Sequence, residues 1–197
     1  MPAPLSPGRT MSLARRSVEV VAFAVLLALY ARSYVLQGFR VPSPSMEPTL
    51  AVGDHVLVNK FIFAPRLSAL ETRLLPMRPI ERGDLLVFKL PLAASRDYVK
   101  RCVGLPGDAV ELRGSRLRVN GMAVEEPFLS AAPESFGPVG VSPGQCFVLG
   151  DNRGNSSDSR DWGTVAAGAV KGRPVAVYWS VDAAGGIRWR RLLSLVR

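Results

Sequence analysis

Beyond its first forty residues the chain alternates between short apolar runs and turn residues. His55-Val56-Leu57-Val58, Asp84 to Phe88, Tyr98 to Val103, Cys146 to Leu149 and Val175 to Trp179 are rich in branched and aromatic side chains. Gly-Asp pairs at 53–54, 83–84 and 107–108 punctuate them. Such runs read as strands and the pairs between them as turns. Arg116-Leu117-Arg118-Val119-Asn120-Gly121-Met122 alternates into an Asn-Gly turn, a strong hairpin signal. Ile187 to Arg190 alternates again after Gly185-Gly186 and predicts a last strand. Stretches 64–78 and 130–143 read as loops. With no repeat and no strand–helix rhythm, a mainly β fold is expected.

The N-terminus has a different pattern. Val18 to Tyr30 is almost wholly apolar, and Ser33 to Leu36 extends it past Arg32. This predicts one N-terminal transmembrane helix over residues 18–36. Glu19 and Arg32 sit near its ends, and Tyr30 and Tyr34 suit the headgroup region. Arg9, Arg15 and Arg16 precede it with no acidic residue before Glu19, which leaves residues 1–17 as a cytoplasmic tail. Residues 37–197 are then exported as the β-rich domain. A cleaved secretory signal shares the basic start and apolar run, but no small-x-small signature lies close behind that run, so a retained anchor is expected.

Composition narrows the classes further. The 197 residues are 48% hydrophobic, enough for one domain with a core plus an anchor. Net charge is +9, yet the basic residues form no long run and accompany no nucleic-acid-reading motif. No nucleic acid partner is expected; membrane lipid with anionic headgroups is. Trp179, Trp189 and Arg188 to Arg191 are candidates for grazing that surface. The two cysteines, Cys102 and Cys146, cannot build a zinc site with a single histidine. They form a disulfide or remain two small core thiols; both readings stay open.

Any Ser-His-Asp triad must use His55, the only histidine, which lies in an apolar strand run and reads as structural. The other base found with hydroxyl nucleophiles is lysine. In water its amine has a pKa of about 10.4 and holds its proton, but burial lowers that by as much as about 3–5 units. Lys100, between Tyr98-Val99 and Cys102-Val103, fits a buried base. Lys60 and Lys89 lie in apolar surroundings too, and context alone does not choose among them.

Three ordered segments add to this picture. They are Ser43-Pro44-Ser45-Met46-Glu47 leading into Pro48-Thr49-Leu50, then Asp97-Tyr98-Val99-Lys100-Arg101, then Gly150-Asp151-Asn152-Arg153-Gly154-Asn155-Ser156-Ser157-Asp158-Ser159-Arg160. Together they resemble the bacterial type I signal peptidases, or leader peptidases, from roughly Phe39 to Tyr178. The resemblance implies a compact signal-peptidase-like β fold with a small β-ribbon insertion, since only about 40 residues separate Asp108 from Gly150. It implies a serine endopeptidase with Ser45 as nucleophile and Lys100 as general base, and with Ser43 and the Ser45 amide forming the oxyanion hole. Ser156 is implied to orient the lysine, with Asp158, Arg160, Asp151 and Asn152 supporting the loop. Phe39, Val41, Pro42, Met46, Leu50, Tyr98 and Val99 are implied to line two shallow pockets for small side chains, matching an Ala-x-Ala cleavage site.

Implied partners are the signal peptides of secreted preproteins, membrane lipid and the protein export machinery. No metal or organic cofactor is implied, and the setting is the bacterial cell (inner) membrane, crossed once, with the β domain on the periplasmic or extracytoplasmic side. Two departures from the family pattern stand out. Pro44 replaces a small residue and Gly154 an aspartate, and neither removes a reacting group. A dedicated Ser-Lys peptidase for a specialised secretion or conjugation substrate shares this chemistry. A non-enzymatic membrane-anchored scaffold would carry the Ser-Lys pair incidentally. A self-cleaving repressor would need a DNA-binding helical domain, which the sequence does not show.

Overall fold

The computed structural model describes residues 8–30, 36–63, 77–90, 96–114, 116–129 and 135–196. The chain divides into two units, Met1–Leu36 and Gln37–Arg197. The first contains helix α1, Gly8–Tyr30. Among its described side chains Val20, Val21, Phe23, Val25 and Leu26 are exposed, and Arg15 pairs with Glu19 one turn on.

The expected membrane-crossing segment over 18–36 meets this helix only in part. Among the described residues no helix is long and apolar enough to cross a membrane. The physical reason is the charged first half: beyond Glu19 the apolar stretch Val20–Tyr30 rises only about 16 Å, against a hydrocarbon thickness of about 30 Å. Residues 31–35 of the expected span lie outside the described residues.

The second unit is built on two sheets. Its strands are β1 (Leu36–Arg40), β2 (Asp54–Asn59), β3 (Leu85–Lys89), β4 (Asp97–Gly104), β5 (Ala109–Arg113), β6 (Arg116–Val119), β7 (Met122–Ala123), β8 (Phe136–Gly140), β9 (Gln145–Leu149), β10 (Val165–Ala166), β11 (Val170–Ser180) and β12 (Ser194–Leu195). The larger sheet runs β1-β2-β11-β3-β4-β9-β10, with β12 also on β11, and the smaller runs β7-β6-β5-β8.

In β3 every residue from Leu85 to Phe88 is buried, because both faces are covered. Leu85 and Val87 join one core cluster with Val41, Met46, Leu50, Val56 and Val58. Leu86 and Phe88 join another with Cys102, Cys146, Val148 and Val165. A third cluster, including Val103, Val110, Leu117, Phe147 and Leu149, ties the small sheet to the large one. Cys102 and Cys146 are free thiols, both buried in the cluster of Leu86 and Phe88. His55 is half-buried, its ring edge-on to Tyr178 at 5.9 Å.

The Asn-Gly turn forms as expected, with Asn120 at φ 53° and Gly121 at φ 79°, the left-handed pair that suits a tight hairpin. Elsewhere three expectations change. The ribbon is a four-stranded sheet, because Ala109–Arg113 pairs with both Arg116–Val119 and Phe136–Gly140. The stretch expected as a loop over 130–143 therefore contains β8, which Phe136 fastens by stacking on Phe147 at 5.5 Å. Ile187 to Arg190 is no strand: Ile187 makes a single bridge to Val181, and Trp189–Arg191 is a 3-10 turn. Arg188 donates to the Val52 carbonyl (2.8 Å) and Arg191 to the Asp54 carboxylate (2.5 Å) on either side of this turn. The stretch 64–76, most of the other expected loop, lies outside the described residues.

Candidate active site

Ser45 sits in a 3-10 turn, Pro44–Met46, that proline starts. Ser43 just before it is extended at φ −137°, ψ 156°, the conformation a following proline favours. Met46 and Leu50 anchor the turn in the core beneath, and the Leu50 amide closes on the Met46 carbonyl at 2.8 Å. Ser45 is buried, and the Ser43 and Ser45 hydroxyl oxygens are 3.3 Å apart.

Lys100 comes from β4, between β3 and β9, where it is only 3% exposed. Its Nζ donates to Ser156 Oγ at 3.0 Å. Burial dominates its titration and pulls the pKa down to about 8; Asp158 acts against this and Arg160 with it. At neutral pH about a tenth of such amines are unprotonated, against about one in 2,500 at the ordinary lysine value.

The loop from Gly150 to Arg160 binds these two segments together. Ser156 Oγ donates onward to Asp158 Oδ2 at 2.7 Å. Asp158 is fully buried and also accepts from the Gly150 amide (2.9 Å) and from Arg160 Nε (2.8 Å). Burial works to raise the Asp158 pKa, but the bonds from Arg160, Gly150 and Ser156 outweigh it and hold the carboxyl below its usual value. Asp158 also caps the one-turn helix Ser159–Trp162, with Asp161 returning the bond. Asp151 accepts two bonds from Arg101, at 2.8 and 2.7 Å, and one from Thr49 at 2.6 Å. The Asn152 amide donates to the Ser45 carbonyl (3.1 Å) and its side chain to the Pro44 carbonyl (3.2 Å).

Gly150 is where the segments touch. The register Arg101↔Leu149 carries it to the level of Lys100. A Cβ at this position would lie 2.2 Å from Ser156 Oγ and 2.5 Å from the Ser45 carbonyl oxygen. Only glycine lets the serine turn and the lysine's hydroxyl partner approach one Cα from two sides.

A cleft of about 420 Å³ opens beside Lys100, lined by Phe39, Pro42, Ser43, Tyr98 and Val99 and by Arg96 and Asp97. Asp97 is held at its rim by Lys171 at 2.6 Å. Three expected pocket residues are absent from this lining. Val41, Met46 and Leu50 are at most 1% exposed and pack in the core under the serine turn, since their side chains point inward from it.

Sequence reasoning missed Gly150, Thr49, Arg101, Arg96 and Asp97. Arg101 carried a usable signal: strand alternation turns it away from Lys100, and a second charge buried in the same strand needs a carboxylate partner. Chemically, the arrangement offers hydroxyls beside an apolar cleft and a buried amine that a second hydroxyl orients.

Comparison with known proteins gives a consistent answer. Residues 14–179 match the family described as signal peptidase, peptidase S26. Signal peptidase I of Pseudomonas aeruginosa is 38% identical over 171 residues, covering 71% of this chain and 60% of that protein. Signal peptidase I of Leptolyngbya laminosa is 34% identical over 176 residues, covering 85% and 81%. Signal peptidase I S of Bacillus subtilis is 35% identical over 155 residues, covering 73% and 76%. The chain thus spans 60% of the length of the Pseudomonas relatives.

Proposed function

The chain belongs to the signal peptidase family S26, and from that premise we propose that it is a serine endopeptidase that removes signal peptides from exported preproteins. Ser45 Oγ attacks the scissile carbonyl carbon while neutral Lys100 Nζ takes the hydroxyl proton. The Ser43 hydroxyl and the Ser45 amide donate to the oxyanion that forms. Collapse breaks the C–N bond, the lysine proton passes to the leaving amine, and an acyl-enzyme on Ser45 remains. Water that gives its proton to Lys100 then hydrolyses the ester and restores the serine. Ser156 orients the amine, Asp158 and Arg160 fix Ser156, and Asp151 and Asn152 hold the loop against the serine turn.

The observation that carries this reading is the buried Lys100, pKa about 8, joined through Ser156 and Gly150 to the backbone of Ser45. An extended substrate lies along the cleft, with small side chains at positions −1 and −3 entering beside Phe39, Pro42, Tyr98 and Val99.

The apolar second half of α1 and the arginines in its first half support lipid attachment with the N-terminus cytoplasmic and the β domain on the exported side, next to the export machinery. Exposed Trp189, Leu193 and Leu195 offer the β domain its own lipid contact. The test is cleavage of a purified preprotein with an Ala-x-Ala site, with the cut mapped by mass spectrometry. Wild type cuts after the second alanine, while Ser45→Ala and Lys100→Ala do not. Undiminished cutting by either variant ends the dyad assignment.

A further inference from the structure

Two arginines frame the loop that carries Ser156, and one short segment covers both. After β7 the chain is tied to β6 by the Val124 amide on the Leu117 carbonyl, 2.9 Å, and Val124 packs against the core of the small sheet. Glu126-Pro127-Phe128-Leu129 follows as a turn closed by the Leu129 amide on the Glu126 carbonyl, 3.2 Å. From it the Glu126 carboxylate accepts a hydrogen bond from the Arg153 guanidinium, the two side chains being 5% and 3% exposed. Two residues on, the Phe128 ring stacks on the Arg101 guanidinium, whose carbon is 3.6 Å from the ring centre.

Both arginines also reach inward. Arg153 Nε donates to the Gly150 carbonyl at 3.1 Å, and its own carbonyl accepts from Arg160 at 2.8 Å. Arg101 grips Asp151, the residue after Gly150. The first residues of the loop that meets Ser45 and Lys100, Gly150 and Asp151, are therefore held by two guanidiniums that also meet Glu126 and Phe128.

We propose that Glu126 and Phe128 are positioning residues: the small sheet, through this strap, holds the Gly150–Arg160 loop where Ser156 meets Lys100. The proposal rests on the serine–lysine reading above. A buried ion pair contributes little net stability, because desolvation offsets its attraction. The Glu126 site in fact disfavours charge, burial pushing that carboxyl up despite Arg153. Arg153 Nη1 is also buried without a hydrogen-bond partner among the described residues. The pair is thus poorly suited to stabilising the fold and well placed to fix a loop.

Loosening the strap admits water to Lys100. The charges around that amine are Asp158, Arg160, Asp151 and Asp161. With less desolvation its pKa climbs back toward the ordinary lysine range. Among the described residues no hydrogen bond or ion pair joins Glu126 or Phe128 to Phe39, Tyr98 or Val99 of the cleft wall, so substrate affinity stays.

The experiment uses the full chain in detergent micelles. Cleavage of an Ala-x-Ala peptide is followed against pH for wild type, Glu126→Ala, Phe128→Ala and the conservative Glu126→Gln and Phe128→Tyr. In parallel, Lys100 is titrated by carbon-13 NMR of lysine-labelled protein carrying Ser45→Ala, which needs no activity. Both alanine variants are expected to lose up to about tenfold in kcat, the scale of losing the Ser156 hydrogen bond itself, with KM within about twofold. Their acid limb and the Lys100 titration move up together, and the conservative variants recover most of the rate. Unchanged kcat, or a lower kcat with an unmoved Lys100 titration in variants that keep the wild-type melting transition, overturns the strap. If an alanine variant does not fold, Phe128→Leu or Glu126→Met, which keeps apolar bulk but loses the hold on the arginine, is titrated in its place, an unmoved Lys100 overturning the proposal. A wild type that fails to cut at all, or cuts without Lys100, defeats the serine–lysine reading instead.

Discussion

Lys100 and Arg101 are neighbours on β4, and both are about 3% exposed. Alternation sends them to opposite faces of the strand, where their partners differ in one respect. Arg101 meets a carboxylate directly, with two bonds to Asp151. Lys100 meets a hydroxyl, and the nearest carboxylate, Asp158, lies on the far side of it. A carboxylate in direct contact stabilises the cation and makes a strut. A hydroxyl in between leaves desolvation as the largest effect, and the amine can shed its proton. The same strand therefore supplies a fixed charge on one side and, on the other, an amine that can lose its proton near neutral pH.

The largest effect comes from making the base resemble the strut. Lys100→Arg keeps the positive charge but cannot lose it, so cleavage falls about 10³- to 10⁴-fold while substrate still binds. Retention of activity above a tenth of wild type would contradict the base assignment. Asp151→Asn removes the strut's partner and leaves the Arg101 charge buried and unpaired, which costs about 3–5 kcal/mol in urea unfolding.

Third is the pH dependence of stability. The folded Lys100 pKa lies below the unfolded value, so between about 8 and 10.5 the unfolded chain binds more protons and stability rises with pH. Below about 8 the buried ammonium is a net cost. Lys100→Met is then expected to be more stable than wild type at pH 7 by up to about 3 kcal/mol, an advantage gone by pH 11. A pH-independent difference would show that Lys100 is not depressed. Smallest is Ser156→Ala, which removes one orienting hydrogen bond and lowers kcat about tenfold at unchanged KM.

Much of this was legible in the sequence. The strands through His55, Leu86, Lys100, Phe147 and Val177 follow from local alternation and branched residues, which the sheet preserves. The Asn120-Gly121 turn is a local conformational preference and survived intact. Strand β8 was hidden because Gly137 and Pro138 mask its pattern, and its pairing with β5 is tertiary. The apparent last strand at Ile187 to Arg190 failed for the converse reason. Its alternation is real, but the backbone turns at Trp189–Arg191, the Arg191 amide closing on the Arg188 carbonyl, while the Arg188 and Arg191 side chains hold the turn to Val52 and Asp54. Val41, Met46 and Leu50 could not be assigned to core or cleft from type alone, since an apolar side chain suits both.

By itself the chain marked the candidate groups: a serine framed by proline, lysines among apolar neighbours, and a polar loop rich in Asp, Asn and Ser. Hydrophobic pattern and turn chemistry are local, and the fold keeps them. Only the packed structure decided that Gly150 is the shared contact, that Arg101 meets a carboxylate and Lys100 a hydroxyl, and that Glu126 and Phe128 reach Arg153 and Arg101. Those outcomes depend on burial and on partners some 20 to 110 residues away along the chain, as in the Arg153–Glu126 and Asn152–Pro44 bonds. Desolvation acts through whatever surrounds a group in space, and that neighbourhood does not exist until the strands have come together.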